Sequence, residues 1–250
     1  MAPAASSDAP TPRRKRPRQA EATLSFDQVM ARLHALANPA NVEGMARFGI
    51  SSKDTLGISV NTLRELAKEI GKDHALALQL WDSGIHEARI LATIIDDPRQ
   101  VTEAQMEQWA SQFDSWDICD GACYGLFDKT PYAWKKAKEW SARREEFVRR
   151  GGFALMASLA VHNKKAPDQQ FLDLLPLIQQ AAGDNRNYVR KAVNWALRQI
   201  GKRNATLNAE AIATARHLQG MDSRAARWIA ADALRELTSP KVQQRLAGAM

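Results

Sequence analysis

Apolar residues recur through the chain at intervals of three and four. Phe26, Val29, Met30, Leu33 and Leu36 share one helical face, as do Leu63, Leu66, Ala67 and Ile70. A third face holds Val189, Ala192, Val193, Ala196, Leu197 and Ile200. Spacing of this kind predicts amphipathic helices, since 3.6 residues per turn bring positions i, i+3, i+4 and i+7 together. No alternating segment of five or more residues suggests a strand. Breakers fall between the periodic stretches: Asn38-Pro39, Gly71, Ser83-Gly84, Asp97-Pro98, Thr130-Pro131, Ala166-Pro167, Gly183-Asp184 and Ser239-Pro240. They divide the body into roughly a dozen short helices. The expected class is all-α.

Weak self-similarity refines that expectation. Segments beginning near Arg89, Arg150, Arg190 and Arg227 each open on an arginine and continue with small residues among aliphatics. The last two intervals suit a pair of helices per repeat, and the first leaves room for one more unit around Trp116. Small residues allow close helix packing, and stacked pairs form a curved superhelix. The predicted architecture is an α-solenoid of HEAT-like repeats with a concave basic surface.

Composition narrows the function classes. The chain has 250 residues with 35 basic and 28 acidic side chains. Residues 1–22 carry five of the basic side chains, Arg13 to Arg16 and Arg18, against Asp8 and Glu21, and hold almost no core formers. This segment is expected to be a disordered basic tail, and residues 23–250 a single domain. Two cysteines exclude a disulfide scaffold. No apolar run is long enough to span a bilayer and no secretory signal is visible, so the expectation is a soluble cytoplasmic, nucleoid-associated protein. Phosphate-binding loops, nucleophile elbows and HExxH motifs are absent from the sequence. Cys119 and Cys123 lie one turn apart without a second ligand pair, and the five histidines are scattered. No metal or cofactor is expected.

The segment Asp114-Ser-Trp-Asp-Ile-Cys-Asp120 carries the most chemistry. Asp114 reads as an N-cap and Asp117 as an acid in the first helical turn, so both have structural explanations. Asp120 does not. It follows Trp116 by four residues, on the same face, and reads either as a reactive carboxylate or as a half-exposed acid paired with an arginine. Basic residues crowd two later stretches, from Lys135 to Lys165 and from Arg186 to Arg203, with Trp134, Trp140, Phe147, Tyr188 and Trp195 interleaved. Stacked repeats would set these stretches side by side. The result is either a nucleic-acid surface or a solvated face over core tryptophans.

Several motifs in order sharpen the choice: Met45-Ala-Arg-Phe48, Leu56-Gly-Ile-Ser59, Leu80-Trp81 with His86-Glu-Ala-Arg89, Ser115 to Asp120, Phe147 to Phe153, and Tyr188 to Arg198. Together they resemble the bacterial DNA alkylation repair glycosylases built from HEAT-like repeats, over about Phe26 to Leu237. The resemblance implies excision of N3- and N7-alkylated purines from double-stranded DNA by a monomer, without base flipping. It implies Asp120 as the catalytic carboxylate, Trp116 and Trp195 as contacts to the damaged nucleotide, and Arg150 as support for the lesion site. Phe48 matches a DNA-contact position of that family, and the basic stripe adds Arg149, Lys164, Arg186, Arg190, Lys191, Arg198 and Lys202 as the residues expected to hold phosphates. Two departures stand out: Phe48 occupies a position that is often tyrosine, and Gly151-Gly152 follow Arg150. The competing classes are a non-catalytic DNA-structure binder and a protein-interaction scaffold.

Overall fold

The computed structural model describes residues 24–50 and 53–248, so the basic N-terminal segment lies outside it. The described residues form fifteen α-helices and no strand. They are α1 (Phe26–Ala35), α2 (Pro39–Ala46), α3 (Val60–Ile70), α4 (His74–Asp82), α5 (His86–Ile95), α6 (Glu103–Ser111), α7 (Trp116–Cys123) and α8 (Ala133–Ser141). There follow α9 (Glu146–His162), α10 (Asp168–Leu172), α11 (Leu175–Ala181), α12 (Asn187–Gly201), α13 (Ala205–Gln219), α14 (Arg224–Leu237) and α15 (Pro240–Ala247). None is long and apolar enough to cross a membrane. The expected breakers all fall between helices, at their caps or, for Pro39 and Pro240, at the first helical residue, and three further short helices raise the count above the dozen expected.

Local chemistry sets the boundaries. Side chains of Ser25, Ser59, Asp73, Thr102, Asn204, Ser223 and Ser239 each accept a hydrogen bond from a first-turn backbone N–H. Pro39 and Pro240 begin their helices, where a missing N–H has no cost.

The helices pack in two rows. Helices α5, α7, α9, α12 and α14 lie successively against one another, and α4, α8 and α13 back α5, α9 and α14. The arginines that open the sequence repeats all fall on this successive row: Arg89 on α5, Arg150 on α9, Arg190 on α12 and Arg227 on α14. Helix α7 is the unit expected around Trp116. The architecture is therefore a HEAT-like α-solenoid.

Between the rows sits a continuous apolar core. Trp81 and Trp109 stack face to face with centroids 3.9 Å apart, and Phe113, Phe127 and Trp140 extend the cluster edge-on. Gly152 lets α9 cross α8 at close range. A Cβ there would lie 2.4 Å from the Ser141 nitrogen, so no larger residue fits without moving a helix. A Cβ at Gly151 would meet Trp140, Cys119 and Phe113 only at ordinary contact distance, 3.4–3.5 Å. Packing thus explains Gly152 and leaves Gly151 without a structural requirement.

Part of the expected basic surface turns out to be structural. Trp140 is fully buried, its indole N–H donating to Glu107, and Trp134 packs on buried Phe171. Lys136, 3% exposed, is surrounded by Glu103, Glu107 and Glu139 at 2.7 Å each. Lys135 also pairs with Glu103. These cations join α8 to α6. Glu139 is a neighbour in α8, but Glu103 and Glu107 lie on α6, and the local charge count could not register those two.

Candidate nucleic-acid and catalytic site

Helix α7 builds the centre of the site. Its N-cap is Ser115, not Asp114, so Trp116 is the first helical residue and Asp120 lies one turn on. Exposed Asp114 instead approaches Arg89 at 3.5 Å, and Asp117 bonds to His86 Nε2 at 2.8 Å. Burial opposes charging of His86, but the hydrogen bond and charge of Asp117 outweigh it and raise the imidazole pKa. Asp117 is correspondingly lowered, its burial outweighed by His86.

Asp120 meets Arg150 in a two-pronged ion pair, Nε to Oδ1 at 2.8 Å and Nη2 to Oδ2 at 2.7 Å. The remaining guanidinium nitrogen, Nη1, donates to the Tyr188 carbonyl at 2.7 Å. One arginine thus ties α7, α9 and α12 together. Asp120 is paired with an arginine, as one of the two sequence readings expects, and its side chain retains 21% exposure at a cavity. Burial pushes the Asp120 carboxyl above its ordinary value, and Arg150 pulls it part of the way back. The same pairing holds Arg150 protonated, against its own burial.

Two hollows share Trp116. One, of about 550 Å³, is walled by Trp116, Tyr124 and Trp195, with Asp117 and Asp120 on α7 and the cations Arg64, Lys72 and Lys129 also lining it. Its volume falls in the range of small-ligand sites, about 300–1,000 Å³. The other, of about 540 Å³, is lined by Arg47, Phe48, Trp116, Arg150, Tyr188 and Lys191. Trp116 Nε1 donates to the Phe48 carbonyl at 3.0 Å, which fixes both the indole and the loop. Phe48 itself is 71% exposed. Gly49, at φ +77°, is obligatory here. A Cβ would fall 1.6 Å from the Tyr188 hydroxyl, so the tyrosine could not close over the loop.

The structure therefore brings together Trp116, Asp120, Trp195, Arg150, Phe48 and Lys191 of the expected set. Lys164 and Lys202 line a third hollow. The others are engaged elsewhere. Arg149 and Arg186 both pair with Asp184, at 3.3 and 2.6 Å. Arg198 pairs with Glu236 at 2.6 Å and lies near Asp232. Arg190 lies 4.6 Å over the Trp228 ring. Arg149, Arg186 and Arg198 thus each have a carboxylate partner, Asp184 for the first two and Glu236 for the third. Tyr124 was missed, although positions 116, 120 and 124 mark one helical face. Arg64 on α3, Lys72 in the loop after it and Lys129 just beyond α7 were missed because no helical face of α7 includes them. Both cysteines are buried, and their thiols donate to carbonyls of α9.

Fold and site define a HEAT-like repeat solenoid carrying an aromatic-walled cleft with cations and one carboxylate–guanidinium pair. Residues 29–237 match the model of the DNA alkylation repair enzyme family, and the chain belongs to that family. The uncharacterized protein Lin0241 of Listeria innocua is 23% identical over 197 residues, covering 77% of this chain and 86% of its own. Lmo0209 of Listeria monocytogenes, also uncharacterized, is 22% identical over the same extent. A solved structure from a new family of proteins related to the HEAT-like repeat DNA glycosylases, with affinity for branched DNA structures, superposes with a TM-score of 0.71. It is 19% identical and covers 85% of this chain and 95% of that one.

Proposed function

We propose that the protein is a monofunctional DNA glycosylase that excises cationic N3- and N7-alkylated purines from duplex DNA. The observation that carries this reading is Asp120, a partly exposed carboxylate set among Trp116, Tyr124 and Trp195 in a family of DNA alkylation repair enzymes. An alkylated purine is already positive, so the C1′–N bond can break with its electron pair leaving on the base and no general acid. The deoxyribose then carries the charge, as in glycoside hydrolysis generally. A carboxylate stabilises that oxocarbenium ion electrostatically. Two of the roughly four lone-pair positions on Asp120 are taken by Arg150, which leaves acceptors for the attacking water. Water adds at C1′ and its proton passes to solvent. Indole faces add cation–π attraction for the same charge.

Arg150 has two roles in this scheme. It fixes the direction of the carboxylate, and it opposes the burial that would protonate Asp120. The residual exposure of Asp120 suits a sugar presented from the surface, with the damaged base still within the duplex. Phe48 and Lys191 line the neighbouring hollow, where the adjoining backbone would pass.

A second reading, a non-catalytic binder of DNA structure, draws on the branched-DNA affinity of the structural relative and on the neutralisation of Asp120 by Arg150. Release of 7-methylguanine from methylated duplex DNA decides between them. The glycosylase reading expects release by the native protein and none by Asp120→Asn, with DNA affinity equal or higher. Tight binding without release would establish the second reading instead.

A further inference from the structure

Helices α9 and α12 run side by side in the same direction. Arg150 near the start of α9 bonds to Tyr188 near the start of α12, and Arg203 just beyond the end of α12 donates to the Ala160 carbonyl near the end of α9 at 2.8 Å. The hollows are ordered along this pair. Tyr188 and Lys191 line the first, Trp195 the second, and Gln199 and Lys202 a third of about 430 Å³. These positions are three or four residues apart and form one stripe of α12.

The third hollow is the most cationic of the three. Four cations line it, Lys164, Lys202, Arg203 and Arg245, with no acid among its lining residues. Lys202 pairs with Glu236, which Arg198 shares. Arg203 has only the more distant Asp168 as countercharge, and its Nε is buried without a partner. Arg245 donates to the Lys202 carbonyl, which holds α15 against the end of α12 and keeps the hollow open between them. Exposed Lys164 has no ion pair among the described residues. Converging, incompletely neutralised guanidinium and ammonium groups fit a tetrahedral oxyanion with several acceptor oxygens.

We infer that this hollow is a phosphodiester-binding site for the bound duplex, displaced from the lesion site along α12. Trp195 and Lys202 are seven residues apart, about 10 Å at ~1.5 Å per residue. With the duplex axis taken along α12, ~3.4 Å per base step places the bound phosphate about three steps from the damaged nucleotide. The inference rests on the DNA-binding part of the proposed function and not on catalysis. It adds Arg203, just beyond α12, and Arg245, on α15, to the DNA-contact surface.

The test is duplex affinity measured against salt, using unmodified DNA. Lys164→Ala removes a side chain with no structural partner and should lower the slope of log affinity against log salt by about 1. The double variant Lys164→Ala, Arg245→Ala should lower it by about 2, with thermal unfolding reporting that the fold is kept. A neutral methylphosphonate about three steps from a central abasic site should cost the native protein a slope of about 1 and the double variant less. Slopes equal to native in both variants, with native binding intact, would overturn the site and leave the glycosylase reading standing. Absence of any salt-sensitive duplex binding by the native protein would overturn both.

Discussion

Arg150→Ala is the most informative perturbation. The guanidinium makes two charge-assisted bonds to Asp120 and one to the Tyr188 carbonyl, with its side chain only 8% exposed. Truncation leaves a largely buried carboxylate without its countercharge and a carbonyl without its donor. Breaking a buried pair in this way costs about 3–5 kcal/mol. The lower end applies, because Asp120 keeps a fifth of its exposure. About 3 kcal/mol in a chain of this size corresponds to a Tm lower by roughly 6–12 °C.

The sign of the pH dependence follows from the pair. Burial already raises Asp120 above its ordinary value, and removing Arg150 raises it further. A group whose folded pKa exceeds its unfolded pKa binds more protons in the native state, so its contribution becomes more favourable as pH falls. The Tm deficit of Arg150→Ala should therefore be larger at pH 8 than at pH 5, measured by scanning calorimetry. Adding Asp120→Asn should restore part of the lost stability, since no buried charge is then left unpaired; couplings of this kind run about 0.5–3 kcal/mol. In the glycosylase assay, the acid limb of the Arg150→Ala profile should move to higher pH. A variant with native Tm, and an acid limb in its native place, would refute the role given to the pair.

Three other outcomes are expected. Gly152→Ala forces a methyl group against the Ser141 backbone and should destabilise by about 1–3 kcal/mol, whereas native stability would mean that α8 and α9 do not cross as described. His86→Gln should cost more stability at pH 6 than at pH 8.5: the raised imidazole pKa stabilises fully below its unfolded value and the effect is lost as pH rises through the folded one. Lys191→Ala should lower the salt slope of duplex binding by about 1, whereas Arg198→Ala, paired with Glu236 and also beside Asp232, should barely change it. Equal effects of these last two would contradict the distinction between free and paired cations.

The fold was legible because helix periodicity and breaker placement are local signals. Arginines opening each repeat located the row of helices α5, α9, α12 and α14, and the gap between the first two located α7. The site was legible in part. Trp116 and Asp120 sit a helical turn apart, so their shared face follows from spacing alone, and Tyr124 could have been found by extending it. The partner of Asp120 could not, because Arg150 reaches it across a helix interface 30 residues on. Charge clustering has the same limit: the stretch alone does not show that Arg149 meets Asp184, Arg198 meets Glu236, or Lys136 meets Glu103 and Glu107 of α6. The cap of α7 shifted by one residue, which left Asp114 free to meet Arg89 and Asp117 to meet His86.

The central claim is that Asp120 acts on the deoxyribose of an alkylated purine nucleotide. Its most direct test is single-turnover release of 7-methylguanine from methylated duplex DNA, with native protein and Asp120→Asn compared at equal occupancy. Release by the native protein that falls to the uncatalysed rate in the variant, with duplex affinity maintained, is the predicted result. Equal release by the two proteins, or none by the native protein while it binds the duplex, would contradict it.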